Sequence, residues 1–332
     1  MTHLAVTPIV IPAVAGMAIV LLAQRNVPRQ RVLSGLAIAL QFAVALLLLM
    51  RSATGEITVY SLGAWAAPFG IVVVVDRLSA LMVLLTAVLA AASWLYAVTG
   101  PDSRGPNYHA LFQFQLMGIC GAFLTGDAFN LFVFFEVLLI ASYGLLLHGG
   151  GRDRIRAGLH YVVFNLVGSA LFLIGVGTIY GVTGTLNMAD IARKVPGVAP
   201  DEVAILASGA LVLMVVFAIK AALLPLYFWL PSAYASATAP VAALFAIMTK
   251  VGVYAILRFY TLAFGADAGA LANLAQPWIL PLALLTLLLG AIGALAGRRL
   301  GGLVAYLVIA SVGTMLTAIG LGTADSLAAA VY

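Results

Sequence analysis

Charge is what this sequence has least of. Asp, Glu, Lys and Arg make up 8% of its 332 residues, where a soluble domain carries about 25%. So few charges cannot solvate the surface of a water-soluble fold of this length. Cysteine is reduced to Cys120, inside an apolar run. One cysteine excludes an internal disulfide and a thiolate metal cage, and reads as a small core residue. The histidines, His3, His109, His148 and His160, are dispersed near the ends of apolar runs and show no metal spacing. They read as interfacial residues, and no metal or cofactor site is expected. There is no glycine-rich phosphate loop, no HExxH, no GxSxG and no low-complexity linker. The N-terminus, Met1-Thr2-His3-Leu4, has no Lys or Arg before its apolar stretch, so it is a poor signal peptide and counts as a first span.

What is present is apolar. Hydrophobic residues make up 64%, and the mean hydropathy is +1.16. A bilayer core needs about 20 apolar residues per helix. The spans read as 4–23, 32–50, 71–98, 109–125, 128–148, 157–182, 203–233, 240–262, 278–297 and 302–322. The fold class is therefore all-α, a polytopic transmembrane helix bundle. The runs lack the alternation of a membrane barrel. The 33 glycines suit helices that approach closely in lipid.

The formal charge of +5 would hint at nucleic acid in a soluble chain. Here the basic residues fill short loops, so the orientation rule applies. One side holds Arg25, Arg29, Arg31, Arg104, Arg152, Arg154, Arg156, Arg298 and Arg299; the other holds Arg51, Arg77, Arg193, Lys194 and Arg258. The first side is expected to be cytoplasmic and the N-terminus outside, with longer outside loops at 51–70 and 183–202. Asp127 reads as a helix N-cap, and Asp76 and Arg77 as an interfacial pair.

Three ionisable residues sit inside spans: Glu136, Lys220 and Lys250. A charge at the centre of a membrane helix costs about 2.5–3.5 kcal/mol. Each should therefore face protein or water and have partners. A carboxylate near an ammonium stabilises both charged forms; if the pair opens, burial favours the neutral ones. Lysine is a good relay group because its proton affinity responds strongly to burial. Pro225 lies five residues after Lys220 and frees the carbonyl of Ala221, and Pro231 is expected to free that of Tyr227, so both mark a helix break. Broken helices mark ion sites in transporters. Tyr161, Asn165 and Ser169 form one stripe at i, i+4 and i+8, Tyr143 shares a face with Glu136, and Tyr254 lies one turn beyond Lys250. Together they offer a polar path. Blander readings stand beside these: an ion pair fixing helix register for Glu136 and Lys220, a packing residue for Lys250, and helix–helix glue for the Tyr161 stripe. Phe132, Phe134 and Phe135 read as core or lipid-facing.

The stretch Gly126-Asp-Ala-Phe-Asn-Leu-Phe-Val-Phe-Phe-Glu136-Val-Leu-Leu-Ile-Ala-Ser-Tyr143 resembles the signature of the antiporter-like proteins. So do Lys220-Ala-Ala-Leu-Leu-Pro-Leu-Tyr-Phe-Trp-Leu-Pro231 and Leu244-Phe-Ala-Ile-Met-Thr-Lys250-Val-Gly-Val-Tyr-Ala-Ile-Leu-Arg258. That family holds the large membrane subunits of respiratory complex I and of Mrp-type cation/proton antiporters. Within it, Gly184-Thr-Leu-Asn-Met-Ala-Asp190 and Thr249-Lys-Val-Gly-Val-Tyr254 are most similar to Mrp subunits of the D type. Tyr234, where complex I relatives carry histidine, favours the same branch.

The resemblance implies fourteen helices with two inverted five-helix repeats and a broken helix seven. Glu136, Lys220 and Lys250 would be the proton relay, passing to a charged residue on helix twelve. The implied parts are a three-helix segment at 1–108, a first repeat at 109–262 and an incomplete second repeat at 263–332. Asp325–Tyr332 reads as the first turns of helix eleven, so the chain is expected to be cut short there. The expected function is a subunit of a multisubunit monovalent cation/proton antiporter, moving protons against Na+ or K+ in a bacterial inner membrane. It would work with partner subunits, without cofactor or nucleic acid, and as a transporter rather than an enzyme. A complex I or membrane-bound hydrogenase pump subunit, and a structural scaffold whose charges only lock helices, are the alternatives.

Overall fold

The computed structural model describes residues 2–24 and 26–331. Met1, Arg25 and Tyr332 lie outside these, and with them the parts of the N-terminal, orientation and C-terminal readings that use them. The described residues fold into helices α1 (Thr7–Leu22), α2 (Val27–Ser52), α3 (Arg77–Ala97), α4 (Tyr108–Leu124), α5 (Ala128–Leu147), α6 (Arg152–Thr183) and α7 (Met188–Lys194). They continue with α8 (Val203–Ala221), α9 (Trp229–Ser236), α10 (Ala239–Leu262), α11 (Gln276–Leu295), α12 (Leu300–Leu321) and α13 (Ala324–Val331). Among the described residues, eight helices are long and apolar enough to cross a membrane, and α1, with 16 residues, is apolar but shorter.

The start expected for the third span, residue 71, is corrected. Val72–Val75 is a strand, β2, paired antiparallel with β1 (Thr58–Ser61) in the register Thr58↔Val75 to Ser61↔Val72. Four consecutive β-branched valines favour the extended chain over a helix. The helix starts only where Asp76 caps it. Its carboxylate accepts from Ser79 N at 2.8 Å while Ser79 Oγ accepts from Asp76 N at 2.9 Å, a reciprocal capping box. Arg77 reaches the other way, donating to the carbonyls of Ser52 and Ala53 at the end of α2. Asp127 does cap α5, accepting from Asn130 N at 2.8 Å. The 183–202 loop contains α7, capped by Asn187, whose side chain accepts from Ala189 N and Asp190 N.

The chain forms two compact units. The first comprises Met1–Ala66, Gly70–Gly158 and Ala237–Ile247. Its centre is α4, which packs against α1, α2, α3 and α5 and is buried along nearly its whole length. The second comprises Ala67–Phe69, Leu159–Ser236 and Met248–Tyr332. Its core carries an aromatic column in which Phe217 of α8 lies edge-on to Phe172 of α6 and to Phe259 of α10, with ring centroids 5.6 and 6.1 Å apart. Beside it α11 and α12 pack with backbones nearly touching. A Cβ on Gly313 would lie 2.4 Å from Leu287 N, so only glycine allows this approach.

Candidate functional site

The second unit holds Lys220 and Lys250. α8 ends at Ala221, and Ala222 follows in the left-handed region at φ +58°. Residues 222–228, which include Pro225, are not helical, and α9 resumes at Trp229. At membrane depth every polar backbone group in such a gap needs a partner. Leu223 N donates to Ala218 O at 2.9 Å. Leu224 N donates to Thr286 Oγ1 of α11 at 2.9 Å. The Ile219 carbonyl accepts from Ala222 N and from the Trp229 indole at 3.1 Å. Pro231 does not open a second break. It stands in the first turn of α9, where helix donors are free anyway, and the Tyr227 carbonyl accepts from Leu230 N at 3.0 Å.

Lys220 is the penultimate residue of α8 and only 5% exposed. Its Nζ donates to Asn165 Oδ1 of α6 at 3.1 Å. Asn165 Nδ2 donates to the Tyr161 carbonyl at 2.8 Å, and Ser169 Oγ donates to the Asn165 carbonyl at 2.9 Å. Asn165 and Ser169 thus also bond back along their own helix, and all three residues of the stripe are buried. The Tyr161 ring lies 5.3 Å from Trp229, which packs edge-on to Tyr234 at 6.2 Å. Close packing of α10 completes the surroundings, because a Cβ on Gly252 would lie 2.5 Å from Ala221 N.

Lys250, half-buried on α10, donates to Ser311 Oγ of α12 at 2.6 Å, and Ser311 donates onward to the Val308 carbonyl at 2.7 Å. The Tyr254 hydroxyl accepts from Arg258 Nε at 2.9 Å, with the guanidinium over the ring. Glu136 and Tyr143 lie half-buried on α5, in the first unit.

The first unit carries a second polar cluster that sequence reading missed. Asp102, with a fully buried side chain, accepts from Arg31 Nε at 2.6 Å and from Arg31 Nη2 at 2.8 Å, a two-point fork. His109 Nε2 is 3.0 Å from the same carboxylate. Burial by itself would raise the Asp102 carboxyl; the bonds from Arg31 and His109 overcome it and hold the group below the ordinary carboxylate range. His109, in the first turn of α4, is 1% exposed and so faces protein. The Arg31–Asp102 fork was not visible because the two residues are 71 positions apart in sequence, although His109 is only seven from Asp102. Ser311 and Thr286 were missed for a similar reason: a lone hydroxyl in an apolar run carries no periodic signal.

A family model described as NADH:quinone oxidoreductase/Mrp antiporter, transmembrane, matches residues 125–332. The chain belongs to this family. It is a multi-pass membrane protein with the helical architecture of that family. It is 48% identical over 336 residues to the D-type subunit of a probable K(+)/H(+) antiporter of Rhizobium meliloti, covering 99% of the chain and 62% of the relative. It is 42% identical to the D-type subunit of the Na(+)/H(+) antiporter of Alkalihalophilus pseudofirmus, covering 100% of the chain and 66% of the relative. The chain thus spans less than two thirds of the length of these family members. Among solved structures, a chain of the Mrp complex from Dietzia sp. superposes with a TM-score of 0.89 at 29% identity, over 99% of this chain and 60% of that one. A chain of respiratory complex I from Thermus thermophilus superposes with a TM-score of 0.80 at 27% identity, over 100% of this chain and 67% of that one.

Proposed function

We propose that the chain acts as a subunit of a multisubunit monovalent cation/proton antiporter, and that Glu136, Lys220 and Lys250 carry the proton. The observation that carries this reading is Lys220. An ammonium is held at a helix break, inside an apolar core, by a neutral amide. Burying a charge there costs several kcal/mol, offset only in part by one neutral acceptor, so its retention points to a function. Loss of the proton leaves a neutral amine that burial favours, and the next amine, Lys250, is also held by a neutral acceptor. The stretch 109–262 is taken as the proton-carrying repeat, with Tyr143, Tyr161, Asn165, Ser169 and Tyr254 as its polar lining. The protein works with partner subunits in a bacterial plasma membrane, its N-terminus outside, and exchanges protons for Na+ or K+. It acts as part of a transporter, not as an enzyme.

The identities to D-type subunits of both sodium and potassium antiporters support the antiporter branch. The likeness to a complex I chain favours a second reading, a proton pump powered by redox partners. Proton flux in everted membrane vesicles, started by a cation pulse, tests the first. Glu136→Ala and Lys220→Ala are each expected to abolish exchange while the assembled complex is retained. Normal exchange in both removes the relay. Co-purification of quinone-module or iron–sulfur partners would favour the second reading.

A further inference from the structure

The Lys220 ammonium is seated on an amide whose orientation is fixed from its other end. Asn165 Nδ2 donates to the Tyr161 carbonyl at 2.8 Å, so it is the oxygen that meets Nζ, at 3.1 Å. Asn165 is 1% exposed. A side-chain amide neither releases a proton nor takes one up near neutral pH. It acts as a dipole. It therefore favours the charged lysine, but by less than a carboxylate at the same distance would. Lysine's neighbours leave room for this seat: a Cβ on Gly168, one turn along α6, would lie 3.6 Å from Nζ.

We infer that Asn165 is a positioning residue that sets how readily Lys220 releases its proton, a neutral acceptor strong enough to seat the ammonium at the helix break and too weak to trap it. The inference rests on the proton-carrying reading of Lys220. It gives the Tyr161 stripe a different task from conduction, because a proton cannot pass through Asn165. The titratable groups on the elements packed around Lys220 are Arg152, Asp153, Arg154, Arg156, His160, Tyr161 and Tyr180 on α6, Tyr227 in the break, Tyr234 on α9, and Lys250, Tyr254, Arg258 and Tyr260 on α10; α11 supplies none. Glu136, on α5, is unchanged in every variant compared.

The test is the pH profile of cation-driven exchange in everted vesicles carrying the assembled complex. Asn165→Leu removes the acceptor at similar volume, and Asn165→Asp turns the dipole into an ion. The alkaline limb is expected to move about one pH unit to the acid side in Asn165→Leu, and by a similar amount to the alkaline side in Asn165→Asp. In the Asp variant exchange at neutral pH is also expected to fall about tenfold, as the lysine holds its proton. Asn165→Ala carries the same expectation as the Leu variant if the latter does not assemble. Shifts in the same direction, or unchanged profiles in a background where Lys220→Ala abolishes exchange, overturn the inference alone. Exchange that survives Lys220→Ala overturns it together with the relay.

Discussion

Gly252 is where α10 passes α8 at the level of Lys220, and replacing it by alanine tests whether that approach sets the site. A Cβ there would lie 2.5 Å from Ala221 N, 2.8 Å from Lys220 C and 2.9 Å from Ala221 Cα. Ordinary contacts begin at about 3.5 Å. All three obstructing atoms are backbone, so no side chain can swing away. The two helices must part by about 1 Å. Overpacking of this kind costs about 1–3 kcal/mol. Misplacing a reacting group by about 1 Å costs on the order of 100-fold in rate. Lys250 stands two residues before Gly252 and moves with it. Gly252→Ala is therefore expected to lower the thermal midpoint of the purified complex and to cut cation-driven proton flux at least tenfold, with every titratable group intact. Gly177→Ala on α6 is the control. Nothing lies within 4 Å of a Cβ there, so both readings should stay at wild-type values. Wild-type flux and midpoint in Gly252→Ala, or an equal loss in Gly177→Ala, would refute the reasoning.

Lys220→Arg should exchange poorly although it keeps the charge, because a guanidinium does not release its proton; vesicle flux between pH 7 and pH 9 checks this. Ser311→Ala removes the 2.6 Å acceptor of Lys250 and should slow exchange about tenfold, one lost hydrogen bond to a charged group, while Ser311→Thr, which keeps the hydroxyl, should retain most of it. Asp102→Asn should destabilise the first unit by on the order of 1–3 kcal/mol at neutral pH, as the Arg31 fork loses its charge. Because the folded Asp102 carboxyl lies below its unfolded value of about 3.9, its contribution is complete above that pH and is lost as pH falls through the folded value. Wild type and Asp102→Asn should then converge in thermal unfolding as the pH is taken below about 4.

The apolar runs alone settle that this chain spans a membrane many times, because helix length in lipid is dictated by bilayer thickness and no other element satisfies its own backbone there. They also place Glu136, Lys220 and Lys250 inside spans, and the spacing to Pro225 marks the interrupted helix. Composition cannot say which polar group meets which. Only the folded chain sets the Lys220 ammonium against Asn165, gives Lys250 to Ser311, and lets Thr286 meet the backbone in the break after α8. Four valines read as part of a span become a strand because Asp76, not hydropathy, decides where α3 starts. Hydrophobicity is a property of each residue and its near neighbours, so it is written along the chain. A hydrogen bond between residues 55 or 61 positions apart depends on the path the backbone takes between them, and that path is fixed by packing of the whole.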